Sequence, residues 1–257
     1  MASIRIIGPG RAGTSFAEAL RRTGHLVDGP LGRRDDISAA ADGVDALILA
    51  VPDDEIAIVA ELVTPRPSCV VLHLSGSLGL DVLAPHERRA SLHPLVPLPT
   101  ADIGADRLLG GVTIAVAGDV LATVIATSLD ARVVAVADED RAAYHAAACI
   151  AANHVVALLG QVERLASSIG LDVAAFLGLA RAAIDDVATL GPRGALTGPA
   201  SRGDWSTIVR HLDALAPQER ATYGACVALC LELAAPGQTV SPPLDVLERV
   251  TAADVAH

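Results

Sequence analysis

The sequence predicts an α/β protein in two parts, a shortened N-terminal parallel sheet with its helices and an all-α C-terminal domain. Three observations predict it. Short β-branched runs alternate with helical patterns from Ile4 to about Val136. From about Glu139 onward the pattern is helical only, broken at Gly170, Gly191 and Pro236. The composition is 52% hydrophobic but 2% aromatic, which suits Ala, Val, Leu and Ile helices packed on a parallel sheet. With 257 residues there is chain for two cores, so we expect residues 1–137 to form the sheet domain and 138–257 the helical one.

The first strand is the run Ile4, Ile6 and Ile7, and Gly8, Gly10 and Gly13 follow it in the spacing G-x-G-x-x-G before a helical pattern begins. Gly8 allows a tight strand-to-helix turn, Gly10 lets a pyrophosphate approach the backbone, and Gly13 lets the helix lie close to the strand. Free N–H groups at the helix start then face the phosphates, so this stretch reads as a dinucleotide site. Leu26 to Leu31 forms a second strand distorted by Pro30, closed by Gly32, Arg33 and Arg34. Asp28 could hold a ribose hydroxyl, but two arginines at the strand's end suit a 2′-phosphate, which favours NADP over NAD.

Between Arg34 and Val44 there is room only for a short helical turn, so the sheet lacks one unit of the six-stranded arrangement here. Strand Ala46 to Val51 follows; Pro52, Asp53 and Asp54 end it and cap the helix running to about Val63. Strand Cys69 to Leu74 leads into Ser75-Gly76-Ser77, at a carboxyl end of the sheet where ligands sit, with His73, Ser75 and Ser77 near a nicotinamide ring. The prolines of Ser91 to Pro99 predict a stiff loop presenting Ser91 and His93. Gly111 to Val116 and Arg132 to Val136 are further strands around a helix from Asp119 to Leu129.

In the helical part, His145, Cys149 and Asn153 are spaced by four and share one face of a long helix, a polar strip that suits a pocket. Ala142 to Val162 carries no formal charge, but Tyr144, His145, Asn153 and His154 within it predict a helix buried in protein rather than a membrane span. Asp204 reads as the N-cap of the helix bearing His211. Arg202, just before it, is the best carboxylate anchor of this half, or else a surface partner of Asp204.

The formal charge of −11 argues against nucleic acid and acidic membrane surfaces as partners. All nineteen basic residues are arginine, which excludes a lysine acid or Schiff base. Cys69, Cys149, Cys226 and Cys230 are scattered in apolar surroundings with no C-x-x-C and no secretory signal, so we expect core thiols, a reducing cytoplasmic setting and no metal.

The pieces G-P-G-R-A-G-T, A-V-P-D, H-L-S-G-S, S-L-H-P-L, Y-H-A-A-A-C-I-A-A-N-H and L-T-G-P-A-S-R-G-D together resemble a bacterial family of two-domain oxidoreductases. Its members join a Rossmann-like domain to a helical domain similar to that of 6-phosphogluconate dehydrogenase, and include an alternative type of ketopantoate reductase. The resemblance covers nearly the whole chain, and its most particular segments are Tyr144 to His154 and Leu196 to Asp204. More distant similarity runs to pyrroline-5-carboxylate reductases, prephenate dehydrogenases and β-hydroxyacid dehydrogenases. The last use a lysine with an asparagine four residues later; Cys149 and Asn153 are the nearest equivalents here, so the lysine's role is vacant.

What the resemblance implies is NADPH-dependent reduction of a small 2-keto acid between the domains, most specifically 2-dehydropantoate (ketopantoate) in pantothenate biosynthesis. The alternatives are an imine or amino-acid dehydrogenase similar to pyrroline-5-carboxylate reductase, or an NADP-sensing protein without turnover. The implied cofactor contacts are Gly8, Gly10, Arg11, Ala12, Gly13, Arg33, Arg34, Val51 and Pro52. His145 would donate the proton with His93 as rival, Asn153 and Ser75 would orient the carbonyl, and Arg202 with Thr197 would hold a carboxylate. A homodimer paired through the helical domain is expected.

Overall fold

The computed structural model of the protein describes residues 1–237 and 242–251; residues 238–241 and 252–257 of the expected helical domain lie outside the described residues. The chain divides into two units, Met1–His154 and Val155–His257, rather than at the expected 137/138. The segment after the last strand stays with the sheet because Arg141, 2% exposed, donates to Ser91 Oγ and Asp138 Oδ2 accepts from the Leu80 N–H at 3.1 Å.

The first unit holds seven strands: β1 (Ser3–Ile7), β2 (Leu26–Leu31), β3 (Ala46–Leu49), β4 (Val70–His73), β5 (Arg89–Pro94), β6 (Thr113–Gly118) and β7 (Arg132–Ala135). Their order is β2-β1-β3-β4-β5-β6-β7, parallel throughout except that β6 runs antiparallel to β5. The expected shortening is at one edge, since the chain crosses from β2 over β1 to β3 through turns and puts no strand outside β2. The far edge, with β6 and β7, brings the sheet back to seven.

Side-chain alternation splits the core. Ile4, Ile6, Ile48 and Leu72 pack against α1 (Arg11–Arg22), α3 (Ala101–Leu108) and α4 (Leu121–Ser128) on one face. Ile7, Leu47, Leu49 and Val71 pack against α2 (Asp53–Leu62) on the other. Helix α3 was not expected from sequence. Thr100 caps it, and Gly104 lets it close on α1, since a Cβ there would lie 2.0 Å from Ser15 Oγ.

The segment 91–99, expected as a loop, is instead in part an inner strand. Of its three prolines only Pro94 falls in β5, on the last residue, so no interior ladder bond is lost, and Leu95 N–H resumes the pairing with Thr113 O at 2.8 Å.

After β7 come α5 (Arg141–Cys149), a π turn (Ile150–His154) and α6 (Val155–Ser168). Within residues 138–168 an 18-residue window has a mean hydropathy of 1.5, enough by length and composition to cross a membrane, and none of that window is buried. Between Ala142 and Val162 only Gln161 is buried within the single chain, and α5 meets the sheet along the face carrying Tyr144 and His145. The second unit continues with α7 (Ala174–Ala195), broken at Gly191 where φ is +73°, then α8 (Trp205–Ala214), α9 (Pro217–Ala234) and α10 (Leu244–Thr251). Its core is Ile208, Leu212, Val227, Leu231 and Val246. Asp204 caps α8 as expected, accepting from Thr207 N–H at 3.2 Å.

Candidate active site

Two features meet at the carboxyl ends of the parallel strands. The first is the glycine turn after β1. Gly8 has a φ of +108°, and a Cβ on it would strike Ala50 O at 2.3 Å; a Cβ on Gly13 would lie 2.0 Å from Gly8 O, so α1 rests directly on the turn. Gly10, by contrast, faces open space and caps α1 without a side-chain hydrogen bond, leaving the first N–H groups available to an anion. There is no acid in the first turn of α1 to occupy them. Arg11 and Pro52 are exposed beside this opening and Ala12 and Val51 half-buried.

At the end of β2, Arg33 is exposed and donates to Glu55 Oε1 at 2.5 Å, while Arg34 is exposed with no hydrogen-bond or ion-pair partner among the described residues. Asp28, the alternative ribose ligand, is engaged by Arg5 Nε at 2.7 Å. The donor set at this strand end therefore fits an anionic group better than a hydroxyl.

The second feature is a cluster of imidazoles. His93, on β5, and His145, on α5, stand edge to face with ring centroids 5.8 Å apart. Both lean over buried Gly76, the centre of the turn after β4: a Cβ there would lie 2.6 Å from His145 Nδ1 and 2.9 Å from His93 Nε2. Glycine is what lets the rings converge. On its other side His93 Nδ1 is 2.7 Å from the Tyr144 hydroxyl, and the two rings are also edge to face. His145 Nε2 lies 3.5 Å from Cys149 Sγ, while its Nδ1 is buried without a hydrogen-bond partner.

Burial pushes His93 down to about 4, aided by the neighbouring His145, Arg141 and His73 and opposed by Asp53. Its ring is therefore neutral at pH 7. Burial likewise lowers His73 to about 4, with the Arg141 guanidinium adding to the effect. His73 is fully buried on β4, and neither ring nitrogen makes a hydrogen bond of ordinary geometry, although the Gly79 backbone lies near enough to favour the charged form. Tyr144 is raised by burial and drawn back by Arg141.

Ser75 was expected to orient a carbonyl. It is buried and committed: its Oγ donates to Asp53 Oδ2 at 2.7 Å and accepts from the Ser77 and Leu78 amides at 3.2 Å each. Asp53, expected as a helix cap, makes no cap bond and instead accepts from both Ser75 and Ser77 hydroxyls, which pins the turn that presents Gly76. His145 and Cys149 share a helix face as expected, but Asn153 falls in the π turn, where the wider winding breaks the spacing by four. It is exposed, and its side chain makes no hydrogen bond among the described residues. Thr197 and Arg202, in the second unit, are both exposed, and the side chain of neither makes a hydrogen bond among the described residues; the Arg202 N–H donates to Pro199 O at 3.2 Å. Sequence reasoning missed Tyr144 as a site residue, although it adjoins His145 in the Y-H pair.

A Rossmann-like domain family matches residues 30–99, and a family described as a domain of unknown function, DUF2520, matches residues 112–229. No curated protein matches the chain in sequence. Among solved structures, a Bacteroides fragilis protein named as a candidate NADP oxidoreductase is similar at 21% identity and a TM-score of 0.74, over 90% of this chain and 98% of its own. A Thermotoga maritima protein is similar at 23% identity and a TM-score of 0.66, over 90% and 98%. Plasmodium falciparum pyrroline carboxylate reductase, solved with NADP bound, is similar at 13% identity and a TM-score of 0.60, over 91% and 95%. These likenesses show the fold: a Rossmann-like α/β unit followed by a helical one.

Proposed function

We propose that this chain is an NADPH-dependent oxidoreductase that reduces a small carbonyl compound, with a 2-keto acid, 2-dehydropantoate, as the first substrate to test. The observation that carries the reading is the convergence of two imidazoles over Gly76 at the same strand ends where the glycine turn opens α1. The bare Gly10, the uncapped α1 N-terminus and the partner-free Arg34 fit a dinucleotide phosphate chain and a 2′-phosphate. When bound, the cofactor supplies a hydride to the carbonyl carbon.

The protein's own part is to place and protonate the carbonyl oxygen. His93 and His145 are the groups at that oxygen, held there by the Asp53-pinned turn and by the Arg141 anchor of α5. Asn153, in the same unit as the two imidazoles, is assigned a contact to the carbonyl. A polar cluster of this kind has no use in a protein that only senses NADP, which disfavours that alternative. The likeness to a pyrroline carboxylate reductase along 91% of the chain supports an imine as second substrate class.

A cytoplasmic homodimer completes the proposal. No residue of α7 is buried, and Leu179, Ile184 and Leu190 are 70%, 59% and 60% exposed, which suits a second copy covering the helical unit. Sedimentation at micromolar concentration is expected to give twice the chain mass. The activity test is NADPH consumption with ketopantoate, pyrroline-5-carboxylate and other 2-keto acids in parallel. Arg33→Ala with Arg34→Ala is expected to weaken NADPH binding about ten- to a hundredfold and leave NADH binding unchanged; equal loss for both refutes the phosphate assignment.

A further inference from the structure

The imidazole over the reacting oxygen has a proton to give only if something refills it. His93 is neutral at pH 7, so it carries one ring proton and no spare. Its Nδ1 is 2.7 Å from the Tyr144 hydroxyl. Between a phenol O–H and an imidazole nitrogen the phenol is the better donor, so Tyr144 donates to Nδ1 and the ring proton sits on Nε2. That Nε2–H is the edge turned to Gly76. The arrangement is a two-bond wire from a phenol, through a neutral ring, to the site of the new alkoxide.

We propose that Tyr144 is the terminal acid of the reduction and that His93 relays its proton. The inference rests on the reductase reading and names the proton source within it. As the hydride supplied by the bound cofactor becomes the new C–H bond, the π pair of the carbonyl moves onto oxygen; the Nε2–H bond of His93 breaks and the O–H bond of the alcohol forms. The Tyr144 O–H bond breaks and Nδ1–H forms, so His93 ends neutral in its other tautomer. Tyr144 ends as phenolate and regains a proton from water. An alkoxide is a far stronger base than a phenolate, so the transfer runs downhill even with burial raising Tyr144 above its ordinary value. Arg141, one helical turn before Tyr144 on α5, favours the phenolate against the cost of burial. Beside Tyr144, the titratable and charged groups around His93 are His145 and Arg141 of α5, Asp53 of α2 and His73 of β4.

His145 then has a different task. Its Nδ1 faces the same spot, and its Nε2 lies beside the weak Cys149 thiol rather than a strong acid. It positions the oxygen and is not the proton source, which reverses the expectation from sequence.

Two measurements test this. The first needs no cofactor or substrate: imidazole ¹⁵N–¹H correlation spectra of the protein are expected to show His93 protonated at Nε2 and accepting at Nδ1, a preference that Tyr144→Phe abolishes. The second is turnover: Tyr144→Phe is expected to lower kcat about 10²–10³-fold with KM within threefold, and to remove the basic limb of the pH profile. Because the chain has two tyrosines, 3-fluorotyrosine in a Tyr223→Phe background labels Tyr144 alone, and the basic limb is expected to move to lower pH. Wild-type His93 protonated at Nδ1, near-normal turnover in Tyr144→Phe, or an unmoved limb with 3-fluorotyrosine overturns the relay. If the wild type consumes no NADPH with any carbonyl or imine, the reductase reading fails and the relay fails with it. In that event the spectra still report the tautomer, which separates the two failures.

Discussion

The molecule contains the same pair twice. His93 and Tyr144 in the sheet unit, and His211 and Tyr223 in the helical unit, each join Nδ1 to a phenol at 2.7 Å with rings 85° apart. Their centroids differ by little, 5.5 Å against 5.8 Å. Both phenols are half-buried and raised by burial, and the difference lies with the histidines. His93 is sunk beside two further imidazoles and a buried arginine, and its partner comes from an element fifty-one residues away. His211 is exposed on α8 and its partner sits twelve residues on, in the next helix. A hydrogen bond alone thus confers no chemistry. Burial, which fixes the charge state, and a second edge turned toward a strand-end turn make the first pair a candidate catalyst and leave the second a helix-to-helix tie.

The comparison breaks most sharply on removal of the rings. His93→Ala is expected to lower kcat about 10²–10⁴-fold, whereas His211→Ala leaves it within twofold, read as initial rates on the best substrate. A subtler contrast uses glycines. Gly76→Ala forces a methyl against both imidazoles and is expected to cost about a hundredfold in rate, with the melting temperature little changed. Gly224→Ala presses on Val250, which a Cβ would meet at 2.6 Å, and is expected to cost about 1–3 kcal/mol of stability while the rate holds.

Acid sharpens the comparison further. His93 and His73 have folded-state values near 4, below the ordinary 6.5, so the unfolded chain binds more protons between those limits. Stability contributed by keeping these rings neutral is complete above pH 6.5 and is lost as pH falls toward 4. Thermal midpoints measured across that window are expected to drop, and His93→Gln to flatten the slope by up to about 1.4 kcal/mol per pH unit. An unchanged slope in His93→Gln removes the neutral-ring argument. The smallest effect belongs to Tyr223→Phe, which is expected to cost about 1 kcal/mol by denaturant titration and nothing in rate.

What could be read in advance was what the chain does locally. The G-x-G-x-x-G turn, the bounds of β2, the missing unit after Arg34 and the Asp204 cap depend on neighbours within a few residues, and all four stand in the structure. His93 and His145 were both named as candidates, yet their meeting over Gly76 is a long-range fact with no local signature. Asp53 shows the same limit: at a strand end before a helix it has the sequence of a cap, while its real partners are more than twenty residues away. Proline counting misjudged β5 because a proline on a strand's last residue costs nothing there. Asn153 was misplaced because nothing in Ile150–His154 announces a π turn.

One consequence of the missing outer strand concerns solubility. With no strand beyond it among the described residues, β2 presents an open edge of the kind on which other chains can add strands. Its sequence makes a poor template. Pro30 removes an amide, Asp28 places a carboxylate on the edge, and a register shift between Arg5 and Ile7 kinks the ladder just where a flat surface would be needed. The same proline that distorts the strand thereby guards a sheet of seven strands against growing an eighth from another molecule.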